Sequence, residues 1–184
     1  MKPGDLILVR GTDQLSLDIM KATGGRFSHV AIAVCPIPLS LSDPNENDGI
    51  VIEAVMPRVV TRPFHDSILG VDYWEIWSNK TLVDYQRWAI VAAACLYSAE
   101  DYGYGKILEQ GLDCVFDTAL FTEKMPQVRG CPICSMLACL SYNEIGLRLG
   151  PEGARSIAPS RAAPYIGIAE FVAGNADYEC VAHQ

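Results

Sequence analysis

Two side chains define the chemistry this sequence can perform. His29 lies in the run Phe27-Ser28-His29-Val30-Ala31-Ile32-Ala33-Val34, at the mouth of an apolar stretch that follows the pair Gly24-Gly25. Cys134 lies far downstream, in Cys131-Pro132-Ile133-Cys134-Ser135-Met136-Leu137-Ala138, where an apolar segment begins. A thiol attacks as its thiolate, and an imidazole beside it is the ordinary acceptor of its proton. The chain has 3 histidines and 7 cysteines, and of the histidines only His29 opens an apolar strand-like run.

Pro132 disfavours helical backbone at the residue before it, so a helix is predicted to start after Pro132 with Cys134 in or near its first turn. Free N–H groups and the positive end of the helix dipole stabilise a thiolate there, and the same N–H groups can hold an oxyanion during acyl transfer. The plainer reading is a buried structural thiol, as expected for Cys139. Glu53 is the one charged residue in Ile50-Val51-Ile52-Glu53-Ala54-Val55. Its carboxylate must be paired or must face water. If the strands of His29 and Glu53 are antiparallel neighbours, Glu53 can orient the imidazole and fix its tautomer; otherwise it is an edge charge.

Cys131-Pro132-Ile133-Cys134 also has the spacing of a thiol–disulfide redox motif. Such motifs come early, after a first strand, and this one comes late. A disulfide between the two cysteines would switch the nucleophile off. Cys114, Cys139 and His65 are scattered without metal-ligand spacing, so no metal and no cofactor is expected.

The elements that must carry these residues follow from periodicity and punctuation. Leu6 to Val9 reads as a strand, Leu15 to Ala22 as a helix ended by Gly24-Gly25, and Val30 to Val34 as a second strand. On that strand His29, Ala31 and Ala33 share one face, whose small side chains leave room for a neighbour. The proline-rich and polar stretch from Pro36 to Gly49 is a loop. Ile50 to Met56, Val59 to Pro63 and Val71 to Trp77 are further strands, with a turn at Pro57-Arg58. Thr81 to Ala99 is a helix expected to bury Leu82, Tyr85, Trp88 or Ala89, Ala92 or Ala93, and Leu96. Ile107 to Phe121 can be helical, and Cys134 to Gly146 is a helix with a glycine C-cap. Tyr165 to Val172 fits either element. The fold class is α+β: an antiparallel sheet or small barrel packed against helices, in one domain over residues 1–184.

Bulk properties narrow the partners. Half of the 184 residues are hydrophobic and the net charge is -8, which excludes a basic nucleic-acid-binding face. No apolar run reaches the roughly 18 residues of a membrane span. No secretory signal is seen at the amino end and the cysteine count is odd, so a cytoplasmic protein with reduced thiols is expected, or a phage-encoded one delivered by another route.

In order along the chain, Gly4-Asp5-Leu6-Ile7-Leu8, Gly24-Gly25-Arg26-Phe27-Ser28-His29-Val30-Ala31-Ile32, Ile52-Glu53-Ala54, Cys134-Ser135 and Ile157-Ala158-Pro159-Ser160 resemble a circularly permuted papain-fold hydrolase. The relatives are permuted NlpC/P60 proteins of the YiiX/YebB-like type, with lecithin-retinol acyltransferase-like enzymes as cousins. Ordinary NlpC/P60 proteins place cysteine before histidine; the permuted group reverses the order, as here. The resemblance implies that Cys134 is the nucleophile, His29 the general base and Glu53 the orienting third residue. It implies hydrolysis of an amide or ester through a thioester, on a peptidoglycan peptide or a lipid or fatty-acyl amide. Acyl transfer, or an inert binding module on the same fold, are its alternatives. The chain departs from the pattern at Met136, where relatives commonly have glutamate, in the extra thiol Cys131, and in the long loop from Pro36.

Overall fold

The structure is a computed structural model, and it describes residues 1–35, 49–98, 100–101, 134–149 and 168–184. The expected loop from Pro36 (residues 36–48), the possible helix from Ile107, the motif Ile157-Ala158-Pro159-Ser160, Cys114 and Cys131 lie outside the described residues.

A six-stranded antiparallel sheet organises the described chain. Its strands are β1 (Leu6–Gly11), β2 (His29–Ala33), β3 (Ile50–Val55), β4 (Arg58–Pro63), β5 (Val71–Asn79) and β6 (Tyr178–His183). They lie in the order β4-β3-β2-β1-β5-β6, so among the described residues the sheet is open, with edges at β4 and β6. The helices are α1 (Gln14–Thr23), α2 (Phe64–Ser67), α3 (Asp84–Cys95), α4 (Cys134–Asn143) and α5 (Ile168–Gly174). Of the segment open to either reading, Tyr165 to Val172, the described part from Ile168 onward lies in the helix α5. The strand β6 had no signal: Tyr178-Glu179-Cys180-Val181-Ala182-His183 lacks clean alternation, because it is an edge strand largely open to water.

The middle strands are apolar on both faces because both are covered. Leu6, Leu8, Val30, Ile32, Ile52 and Ala54 pack with Ile90 of α3, Leu137, Ala138 and Tyr142 of α4, and Ile168 of α5. Ile7, Val9, Ala31, Ala33, Val51 and Ile76 pack on the opposite face with Phe64 and Trp74. The two rings meet edge to face at 5.4 Å. The small side chains of Ala31 and Ala33 are what make room for them, so core fills the part of this face that they line.

The helix α3 turns a different side inward from the one its apolar residues suggested. Arg87, Ile90, Val91, Ala93 and Ala94 are buried, whereas Tyr85, Trp88 and Leu96 are exposed. Arg87 sets the rotation: its guanidinium pairs with Asp5 at 2.8 Å and donates to the Asn79 carbonyl at 2.5 Å. Ser78 also donates to Asp5 Oδ1, at 2.7 Å. A buried charge must be paired, and drawing Arg87 inward carries Ile90 and Ala94 onto the sheet at the i+3 and i+7 positions.

Capping fixes the approach to His29. Asp13 accepts from the Ser16 amide at 3.0 Å to start α1, and Gly24 ends it in the left-handed conformation (φ 64), where a side chain is strained. The chain then returns beside β1: the Ser28 amide donates to the Val9 carbonyl at 3.0 Å, and Ser28 Oγ accepts from the Gly11 amide at 3.0 Å.

Candidate active site

The three residues singled out from the sequence come together at one end of the sheet. In the pairing of β2 with β3, Ile32 faces Ile52 and Ala33 faces Val51. One step further along that register Ala31 faces Glu53, with His29 on its diagonal. Period-two alternation then puts His29, Ala31 and Glu53 on one face. The His29 Nε2 lies 2.5 Å from Glu53 Oε2.

Glu53 is fully buried and carries two further donors. Ser67 Oγ of α2 donates to Oε2 at 3.1 Å, and Arg62 Nε of β4 ion-pairs with Oε1. Burial opposes its ionisation, but the bonds and charges of His29 and Arg62 outweigh burial and hold the carboxyl below its ordinary value. Glu53 is therefore an anion inside the protein, not an edge charge. Neither Arg62 nor Ser67 was found from the sequence. The signal for Arg62 was present: the two-residue turn at Met56-Pro57 joins Val55 to Arg58 as partners, which sets Glu53 opposite Val60 and Arg62 opposite Val51. Ser67 left no signal, because α2 is a single short turn.

Cys134 arrives from the helical layer as the first residue described in α4 and packs against the core under that layer. Its side chain hydrogen-bonds the His29 ring, and the Val30 and Ser135 backbone amides bond its sulfur. With Nε2 engaged by Glu53, Nδ1 is the ring nitrogen left for the sulfur. Burial works against a thiolate, yet the charge and hydrogen bond of His29, followed by the two amides, lower the thiol below its ordinary value. Burial likewise disfavours the imidazolium, but Cys134 and then Glu53 more than compensate, raising His29 to about 10. The two shifts have one cause: each group favours the charged form of the other.

Cys139 makes the contrast on the same helix. It is buried without a basic partner, and burial, followed by the nearby Cys134, pushes its thiol up to about 12. Position on α4 alone does not activate a cysteine; contact with His29 does. Cys35, Cys95, Cys134, Cys139 and Cys180 are all free thiols. Among the described residues no three His, Cys, Asp or Glu side chains are grouped to hold a metal ion, and no helix is long and apolar enough to cross a membrane.

No protein-family model matches the sequence, and no curated protein matches it. The fold is similar to the crystal structure of the metalloprotein yiiX from Escherichia coli O157:H7 (DUF1105). The TM-score is 0.61 at 17% identity, over 100% of this chain and 97% of that one. At this identity the likeness is one of fold: the chain has a YiiX-like, papain-type α+β architecture. The metal belongs to the description of that protein. In this chain the imidazole of His29 is engaged on one side by Glu53 and on the other by Cys134.

Proposed function

We propose that this chain is a cysteine-dependent hydrolase in which Cys134 is the nucleophile, His29 the general acid–base and Glu53 the orienting residue, acting on an amide or ester within one domain spanning residues 1–184. The observation that carries the reading is the continuous chain of bonds from the Cys134 thiol through the His29 ring to a buried, ionised Glu53.

The thiolate of Cys134 attacks the carbonyl carbon, and the carbonyl oxygen becomes an oxyanion held by backbone N–H groups in the first turn of α4, that of Cys134 among them. The imidazolium of His29 gives its Nδ1 proton to the leaving nitrogen or oxygen as the tetrahedral species collapses to a thioester. Water then attacks the thioester, His29 takes its proton, and the acid and the thiolate are released. Glu53 stays ionised throughout. It accepts from Nε2–H, so Nδ1 is always the nitrogen that exchanges protons with sulfur and substrate.

The substrate class that fits the resemblance is a peptidoglycan peptide or a fatty-acyl lipid or amide. An activated aryl ester serves as a reporter for either. Wild-type protein releases the aryl alcohol and passes through an acyl adduct on Cys134 visible by peptide mass; Cys134→Ala forms no adduct and turns over no ester. Full turnover by Cys134→Ala defeats the reading.

A further inference from the structure

The seam between β2 and β3 opens at the site. β2 stays paired to β1 as far as His29, which faces Val9. β3 stays paired to β4 as far as Val55, which faces Arg58. Between β2 and β3 the pairing stops at Ile32 and Ile52. Both strands therefore run on, and only the seam between them is released.

Backbone parity shows which group that release frees. In an antiparallel strand successive amides point alternately to the two neighbours. The Ala33 amide donates to the Asp5 carbonyl at 2.9 Å, on the β1 side, and the Val34 amide donates to the Ile50 carbonyl of β3 at 2.7 Å. Even-numbered amides of β2 therefore face β3, and Val30 carries the first of them beyond the end of the pairing. Two residues further along, the register sets Val30 opposite Ala54. The Val30 amide donates instead to the Cys134 sulfur.

The opened seam is also where the two faces of the sheet meet. Cys134 packs with the core under the helices. His29 lies on the opposite face, which it shares with Ala31 and Ala33. A neutral thiol is a weak acceptor, so giving up a ladder bond for it is a poor exchange. The exchange is balanced when the amide faces negative charge, because charge-assisted bonds are the strong ones. Two anions form here during the proposed reaction: the thiolate, then the oxyanion on the carbon that the sulfur has joined.

We propose that the Val30 N–H is a donor of the oxyanion hole, which then spans sheet and helix, with Val30 of β2 on one side and the first-turn amides of α4 on the other. This deepens the hydrolase reading and rests on it for the role of Cys134. When the thiolate attacks an ester, the S–C bond forms and the carbonyl π pair goes to oxygen. The charge has then moved from sulfur to an atom two bonds away, and the same amide follows it with a small shift. As the carbonyl re-forms, the bond to the leaving alkoxide breaks, and the alcohol departs with the His29 proton.

The test replaces the Val30 N–H by oxygen, a backbone ester that keeps the side chain. Synthetic residues 1–34, with or without the ester, are ligated to residues 35–184 at the native Cys35, which restores the full chain. An ester at Ile32, whose amide faces β3 inside the pairing, removes a donor of the same strand away from the sulfur. Two rates at Cys134 are compared in each protein: acylation by the aryl ester, which builds an oxyanion, and alkylation by iodoacetamide, which displaces iodide and builds none. Both scale with the thiolate, so their ratio isolates the oxyanion. The ratio is expected to fall about 100-fold in the Val30 ester and to stay within about twofold of wild type in the Ile32 ester. An unchanged ratio in the Val30 ester overturns the proposal and leaves that amide as a partner of the thiolate alone. An equal fall in the Ile32 ester also overturns it, because a weakened sheet then accounts for the loss.

A second measurement uses the unaltered protein. A trifluoromethyl ketone adds to Cys134 and leaves an oxyanion, and in the valine-labelled chain the Val30 amide proton should move downfield relative to the iodoacetamide-alkylated chain. A resonance that stays in place overturns the proposal even if neither ester folds. Wild type that alkylates at Cys134 but is not acylated defeats the hydrolase reading and the oxyanion hole with it. Wild type that acylates, with a ratio the Val30 ester keeps, defeats the Val30 assignment alone.

Discussion

Replacing Glu53 by glutamine tests the internal logic of the site, because the change is nearly isosteric and removes only a charge and one acceptor. The carboxylate accepts from three donors: His29 at 2.5 Å and Ser67 at 3.1 Å on Oε2, and Arg62 on Oε1. A glutamine has one acceptor oxygen and one NH₂ group. If the oxygen takes the Oε2 position, the NH₂ group faces the Arg62 guanidinium. If it takes the Oε1 position, the NH₂ group donates to His29 Nε2, the ring carries its proton on Nδ1, and Cys134 faces a donor instead of a base. Either way one charge-assisted bond is lost, worth about 1.5–3 kcal/mol. Because Arg62 is one-third exposed, the stability loss is expected near the low end, about 2 kcal/mol by urea unfolding. The kinetic loss is larger, because the wrong tautomer disables proton transfer altogether: turnover of the aryl ester falls by about two to four orders of magnitude. Peptide-resolved alkylation of Cys134 falls with it, and its half-maximal pH moves up toward that of an ordinary thiol. If Glu53→Gln alkylates Cys134 at the wild-type rate with an unchanged pH profile, the orienting role assigned to Glu53 is wrong.

Three further outcomes follow from the same geometry. Arg62→Gln leaves Glu53 with two donors, so its carboxyl titrates higher; alkylation of Cys134 slows about tenfold, and stability changes by less than about 1 kcal/mol in urea because the arginine is partly exposed. The coupled pair also shapes stability against pH. His29 is raised from 6.5 to about 10 and Cys134 is lowered from 9.0. Above 9.0 the unfolded thiol loses its proton while the folded imidazolium keeps one, and stability falls as pH rises through about 10. The unfolding free energy of wild type minus that of His29→Ala/Cys134→Ala, measured across this range, should show that decline; a flat difference would contradict the raised imidazolium. Tyr142→Phe removes the buried bond from Tyr142 Oη to the Gly4 carbonyl at 2.5 Å; it should cost about 1–2 kcal/mol in urea with no change in Cys134 alkylation.

Much of this architecture could be read from local sequence, and the exceptions have physical causes. The strands β1 to β5 carry enough β-branched and apolar residues to declare themselves, and the punctuation by Gly24 and Gly146 marks helix ends. His29 and Cys134 stood out because each is a reactive side chain at the edge of an apolar element, and Glu53 because an apolar strand cannot hold an unpaired charge. The inward face of α3 was hidden, since Arg87 is buried by partners 82 and 8 residues away in the chain, Asp5 and Asn79, and no helical periodicity encodes those. Trp88 and Leu96 were assigned inward from the helical spacing of the apolar residues, and the burial of Arg87 turned them out. The strand β6 stayed hidden because its pairing with β5, and not its own side chains, makes it a strand. Arg62 was legible once β3 and β4 were paired through their turn, whereas the contribution of Ser67 is a tertiary fact.

The central claim is that His29 holds Cys134 as a thiolate. The direct measurement is the pH dependence of iodoacetamide alkylation resolved to single cysteines, with Cys139 and Cys180 as internal references in the same sample. The account predicts that Cys134 reaches half its maximal rate below the ordinary thiol value of 9.0, that Cys139 and Cys180 titrate above theirs, and that His29→Ala returns Cys134 to the range of the others. A wild-type Cys134 that titrates at or above 9.0, or one whose profile survives His29→Ala, contradicts it.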